Sequence, residues 1–149
     1  NDEPALFDTV NNILRKNLSL NDVRGKRILF KPNWVTHNQK PDDPICLCTH
    51  EKFIIAALKA ILLLQPKSVL IADAPINLCD WDRLLSSEFL SSVDNLSSEY
   101  KIPITIQDFR RATFSREKNE VVENVRPIED YIIFQVHSRK VSGFQIIHS

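Results

Sequence analysis

The stretch SVLIAD at residues 68–73 is a continuous apolar run that ends in a carboxylate. Such runs are typical of strands that are buried on both faces, as in parallel sheets. A shorter apolar run at residues 26–31 comes before it, and residues 103–108 give a third strand that also ends in an aspartate. These three predicted strands determine the fold class, because helical patterns separate them.

The first of these helical patterns covers residues 50–64. Its apolar side chains surround nearly the whole circumference, and only Lys52 and Lys59 mark a polar stripe. A helix of this kind is buried on more than one side. In a small domain it indicates a missing second half or a partner subunit, and a homo-oligomer would meet the same need.

Two further helices are expected. Residues 4–18 have apolar side chains at helical spacing, with Pro4 suited to the first helical position. A serine-rich helix is expected between Trp81 and Leu96, with Asp80 as its N-cap.

The order strand, helix, strand, helix, strand predicts βαβ units. We expect a three-layer, Rossmann-like α/β domain with a mainly parallel sheet of four or five strands. Residues 121–122 and residues 131–136, YIIFQV, are the candidates for added strands. Right-handed crossovers place both connecting helices on one face, which leaves the other face for the N-terminal helix.

Composition limits the partners and the compartment. Nineteen basic residues balance nineteen acidic ones, which gives no support for a nucleic-acid or membrane surface. No apolar run reaches the roughly 18 residues of a membrane span. With an odd count of three cysteines and no secretory signal, we expect a reduced, cytoplasmic protein.

The rarest residues also constrain the interpretation. The sequence has two glycines, so neither a dinucleotide-binding glycine loop nor a P-loop can be built, and no cofactor is indicated. It has no methionine. From the length we expect a single domain, and from the lack of methionine we expect residues 1–149 to be a fragment or a sequence from which residues are missing.

Polar side chains collect where the predicted strands end. Lys31, Asn33, Asp73 and Asp108 all lie at or just beyond a strand's carboxyl end. In a doubly wound sheet these ends share the edge at which ligands bind. Lys31 is a candidate to neutralise an anion, and Asp73 is a candidate base or metal ligand, although aspartates also serve as caps and turn residues.

Three more residues are assigned to the same edge. Thr49 is predicted as the N-cap of the helix over residues 50–64, where backbone N–H groups favour an anion. His50 follows it and suits proton transfer near neutral pH. Arg110 is a candidate ligand contact after the third strand, although pairing with a nearby acid is the commoner outcome.

Thiols and an imidazole give an alternative site. Cys46, Cys48 and His50 stand at alternate positions, and Cys79 lies in the next loop. These four groups suit zinc or iron, but their spacing matches no standard metal motif. A metal site here and a set of small buried thiols are both open interpretations.

Three segments together resemble one known family. Residues 25–33, GKRILFKPN, are followed by Thr49-His50 and by residues 69–75, VLIADAP. Over residues 20–135 the chain resembles the family called domain of unknown function 362, in a subgroup with longer loops. The resemblance implies an α/β fold without assigning a reaction. It also implies a second half with a lysine- and histidine-rich segment, which this sequence does not show. Residues 1–149 would then be the N-terminal part of a longer protein, or would differ from the family at the C-terminus.

We expect a ligand site at the carboxyl edge of the sheet, for a small anionic metabolite. Lys31, Asp73 and His50 would carry any catalysis, while Asn33, Thr49, Asp108 and Arg110 would bind the ligand. The sequence leaves open whether the domain is an enzyme. A non-catalytic binding or assembly module and a Cys/His metal-binding domain remain as alternatives.

Overall fold

The computed structural model describes residues 3–37, 47–110, 112–115 and 119–123. The elements in chain order are α1 (Glu3–Asn17), α2 (Leu20–Val23), β1 (Arg27–Phe30), α3 (Glu51–Leu62), β2 (Ser68–Asp73), α4 (Ser87–Tyr100), β3 (Ile104–Asp108), β4 (Ala112–Ser115) and β5 (Glu120–Glu123).

The first three strands form a parallel sheet in the order β1-β2-β3. Phe30 in β1 lies opposite Ile71 in β2, and Asp73 at the end of β2 lies opposite Asp108 at the end of β3. The α/β class and the parallel sheet are therefore confirmed. This register brings all three strand exits to one edge.

The last two strands form a separate antiparallel pair. β5 matches the strand predicted at residues 121–122, but it pairs with β4 and not with the parallel sheet. The strand predicted at residues 131–136 lies outside the described residues. The parallel sheet has three strands in the part of the chain that the structure describes, compared with the four or five expected.

The core lies between the sheet and the helices α3 and α4. Alternate side chains of the strands face this layer and pack against α3 and α4. The largest fully buried side chains of the core, from helices and strands together, are Phe89, Ile54, Leu58, Leu62, Ile71, Val69 and Val93. Apolar area removed from water here contributes roughly 25 cal/mol per Å² to folding.

Helix α1 packs along α3, contrary to the expected position on the other face of the sheet. Val10 of α1 contacts the small side chains of Ala56 and Ala57, which let the two helices approach closely. On the opposite face of the sheet, Leu29 is 52% exposed. The described residues thus form two layers.

Helix α3 is surrounded by the chain itself. One side carries Ile54 and Leu58 into the main core, and another carries Ala56 and Ala57 against α1. The prediction that this helix is buried on more than one side is confirmed. Much of its apolar surface is therefore covered within the chain, although Phe53 on this helix is 45% exposed.

Helix α4 begins later than predicted, at Ser87 instead of Trp81. Ser86 is the N-cap, and its hydroxyl accepts the N–H of Phe89 at 3.0 Å. The Glu51 carboxylate accepts both the N–H and the hydroxyl of Ser86, at 2.8 and 2.6 Å, which fixes the start of α4 against α3. None of the described helices is both long enough and apolar enough to span a bilayer.

Candidate functional site

The exit of β1 is held by the buried carboxylate of Asp73, whose side chain is only 4% exposed. Lys31 places its Nζ 3.0 Å from Oδ1 and 3.2 Å from Oδ2. The backbone N–H groups of Trp34 and Ala74 donate to the same carboxylate at 2.6 and 2.8 Å. Burial of a charge is tolerated when it is paired and hydrogen-bonded in this way.

Lys31 differs from its partner in exposure, because 61% of its side chain is accessible. The strand exit therefore presents an ammonium to solvent from a fixed anchor. An ammonium has three N–H donors. The Asp73 carboxylate has two oxygens, so the amine keeps donor capacity for another group.

Asn33 and Thr49 are brought together by the backbone. The N–H of Thr49 donates to the carbonyl of Asn33 at 3.4 Å, and the neighbouring pair Trp34 and Cys48 forms an antiparallel bridge. Asn33 has φ +64°, a left-handed conformation that asparagine tolerates better than most residues. This bridge joins the exit of β1 to the start of α3.

His50, and not the predicted Thr49, is the N-cap of α3. Its Nδ1 accepts the N–H of Lys52 at 3.2 Å. A nitrogen that accepts a hydrogen bond is unprotonated, so the neutral ring carries its proton on Nε2. The exposed His50 ring can therefore donate one hydrogen bond from Nε2 while Nδ1 still accepts the N–H of Lys52.

Asp108 and Arg110 form a buried ion pair. Nε of Arg110 lies 3.0 and 2.9 Å from the two Asp108 oxygens, and Nη2 lies 2.6 Å from Oδ2. The other arm, Nη1, donates to the carbonyls of Cys79 and Ile76 at 2.7 and 3.2 Å. Both side chains are thus engaged within the chain, where they hold the loop at residues 74–80.

His37 is a connecting residue that the sequence did not single out. It is buried, and its ring Nδ1 accepts the backbone N–H of Asp80 at 2.9 Å. The backbone N–H of His37 donates to the sulfur of Cys79 at 3.3 Å. Its position in the long loop after β1 carried no pattern that distinguishes it. It joins the exit loops of β1 and β2.

Cys79 is a buried thiol at this junction. Burial raises the pKa of the Cys79 thiol, against the opposing effect of the His37 N–H. A buried thiol with a raised pKa is a poor nucleophile.

The metal alternative gains no support from the described residues. They contain no group of three or more His, Cys, Asp or Glu side chains arranged to hold a metal ion. The Sγ of Cys48 donates to the Thr36 carbonyl at 3.1 Å, whereas His50 caps α3. Cys46 lies outside the described residues.

The two tryptophans pack against each other beneath this edge. Trp34 is 3% exposed and meets Trp81 edge to face, with ring centroids 5.8 Å apart. It meets Phe89 in the same manner at 6.3 Å. Both rings pack in the main core cluster, Trp34 as a buried member and Trp81 as a partly buried neighbour.

A cavity of about 460 Å³ lies away from the strand edge, on the helical layer. Its floor is the outer side of α3, and its walls come from α1 and α4. Glutamates from three helices line it together with Lys52 and Lys59, and Lys52 pairs with Glu3 at 2.9 Å. His50 is among its lining residues, so this residue borders both the cavity and the exit of β1.

Comparison with known proteins gives no relative: no family model, no curated protein and no solved structure matches this chain.

Proposed function

We propose that this chain is a ligand-binding α/β domain that holds a small anion at the carboxyl edge of its parallel sheet. Lys31, Asn33, Thr49 and His50 are the contacting residues. The proposal also keeps the wider identity inferred from the sequence, a Rossmann-like domain related to the domain of unknown function 362 family, with a mainly parallel sheet of four or five strands.

The observation that carries the proposal is the exposed Lys31 ammonium on a buried anchor. Asp73 fixes the amine through both carboxylate oxygens, and two backbone N–H groups fix Asp73. An exposed lysine normally loses side-chain freedom when it binds a ligand. Here much of that freedom is already lost, which favours binding of an anion.

The bridge between Asn33 and Thr49 supports the second half of the site. It brings the backbones of Asn33 and Thr49 together beside the β1 exit, and the Asn33 amide, the Thr49 hydroxyl and the His50 ring are the polar groups of this segment. These groups would supply neutral hydrogen bonds, while Lys31 supplies the charge. The start of α3 adds the partial positive charge of a helix N-terminus.

The roles of Asp73, Asp108 and Arg110 change in this proposal. Asp73 acts as the counter-ion that positions Lys31, and not as a base or a metal ligand. Asp108 and Arg110 brace the loop after β2. If the domain catalyses a reaction, His50 is the residue in position to exchange a proton. Binding is the function that the geometry supports best.

Lys31→Gln tests the proposal in a titration followed by NMR of the backbone amides. Inorganic phosphate and succinate are suitable probes of the anion. We expect binding to shift the backbone amide signals of Lys31, Asn33, Trp34 and residues 49–52. The variant should bind at least about tenfold more weakly, because a charged hydrogen bond is lost.

Lys67→Gln is the matched control. Lys67 is exposed and lies before β2, at the opposite edge of the sheet. Its replacement removes the same charge and should leave binding unchanged. The proposal would be overturned if the unmodified protein bound neither phosphate nor succinate. It would also be overturned if Lys31→Gln and Lys67→Gln weakened anion binding equally.

A further inference from the structure

We infer that the anion recognised at this edge is amphipathic, and that Ile76 and Leu78 contact its apolar part. The ligand class is then a carboxylate or phosphate monoester that carries an alkyl or aryl group. This inference rests on the proposed function, since it concerns the same site.

The loop after β2 exposes two large apolar side chains. Ile76 is 51% exposed and Leu78 is 48% exposed, whereas Pro75 and Cys79 beside them are buried. Single exposed apolar residues are common on protein surfaces. Here two of them lie on one short loop, which begins at Asp73, the partner of Lys31.

The loop is also held in place from several sides. The N–H of Ile76 donates to the Val35 carbonyl at 2.9 Å, and the N–H of Cys79 donates to the Ile76 carbonyl at 2.9 Å. Arg110 Nη1 reaches the carbonyls of both Ile76 and Cys79. The backbone of the turn is thus held by hydrogen bonds at Ile76 and at Cys79, on both sides of Leu78.

The guanidinium that holds this turn is itself fixed. Arg110 is 5% exposed and binds Asp108 through two nitrogens. Ion pairs of this kind require removal of two charges from water. The apolar contact surface is therefore preorganised, and a preorganised surface binds with a smaller loss of entropy.

The loop starts beside the Lys31 amine. Oδ1 of Asp73 is shared by Lys31 Nζ at 3.0 Å and by the N–H of Ala74 at 2.8 Å. Ile76 follows Ala74 by two residues. A ligand whose anionic group binds Lys31 therefore meets an apolar surface along the same loop, and an inorganic anion would leave that surface unused.

Acetate and hexanoate form a matched pair of probes, because they share the carboxylate and differ in chain length. We expect hexanoate to bind about tenfold more tightly in an NMR titration, the range that a few methylenes give in an apolar contact. Ile76→Ser and Leu78→Ser should each reduce this preference and leave acetate binding unchanged. Ile13→Ser, at a 55% exposed position on α1, is the control for loss of an exposed apolar side chain.

The outcomes separate this inference from the proposal beneath it. Equal affinity for the two probes, or a preference for hexanoate that survives both loop substitutions, would refute the apolar contact while leaving the anion site standing. If neither acetate nor hexanoate binds, the proposed site itself is refuted. Thermal melting of each variant shows that it is folded, and either of the two loop variants suffices for the comparison.

Discussion

At the scale of single residues, Asp108 and Arg110 show how a polar strand exit can be structural. Both occupy positions that suit ligand contacts, at the edge where open α/β sheets bind their ligands. The structure instead pairs them and directs the remaining guanidinium donor at two carbonyls. A buried carboxylate needs a counter-ion, and the nearest arginine supplies it.

Removal of Arg110 should therefore be strongly destabilising. Arg110→Ala leaves Asp108 without its counter-ion, with side-chain exposure of only 12%. It also removes the Nη1 donor to the Cys79 carbonyl and one of the two donors to the Ile76 carbonyl. We expect a loss of about 3–5 kcal/mol in the free energy of unfolding, measured by urea denaturation. Exposed Arg83→Ala, the control, should change it by less than about 0.5 kcal/mol. A small effect at Arg110 would contradict the buried pair.

At the scale of elements, the sequence predicts those parts whose signal is local. The bounds of β2 agree with the run SVLIAD, because a continuous apolar stretch between polar neighbours leaves little choice. The order of strands and helices from β1 to β3 was equally predictable, whereas the short helix α2 before β1 was not predicted. The start of α4 was not, because Ser86 is fixed by Glu51, a residue 35 positions earlier.

The cap of α4 gives a prediction of its own. Ser86→Ala removes the acceptor of the Phe89 N–H and the donor to Glu51. We expect a loss of about 1–2 kcal/mol in the free energy of unfolding. Amide hydrogen exchange should rise first at the start of α4.

Ser91→Ala is the contrasting variant for this prediction. Ser91 is exposed within α4, where alanine has the higher helix propensity, so stability should stay equal or increase by up to about 0.5 kcal/mol. Equal destabilisation by the two variants would show that Ser86 is not the cap.

At the scale of the whole molecule, the position of α1 was beyond sequence reasoning. An apolar stripe on a helix indicates that it packs, but not which surface it packs on. Val10 finds its surface on Ala56 and Ala57, where small side chains leave room for a neighbouring helix. The candidate site has the same limit: the sequence identified Lys31 and Asp73 separately, while their pairing depends on the register of β1 and β2.

The two faces of the sheet should respond differently to substitution. Ile71 points into the helical layer and is fully buried, so Ile71→Ala should lower the free energy of unfolding by about 2–5 kcal/mol. Leu29 lies on the other face and is 52% exposed. Leu29→Lys should therefore change stability by less than about 0.5 kcal/mol in urea denaturation, with an unchanged mass by light scattering. A loss above about 1 kcal/mol at Leu29, or a lower mass, would show that a further layer covers this face, because burying an unpaired lysine is costly.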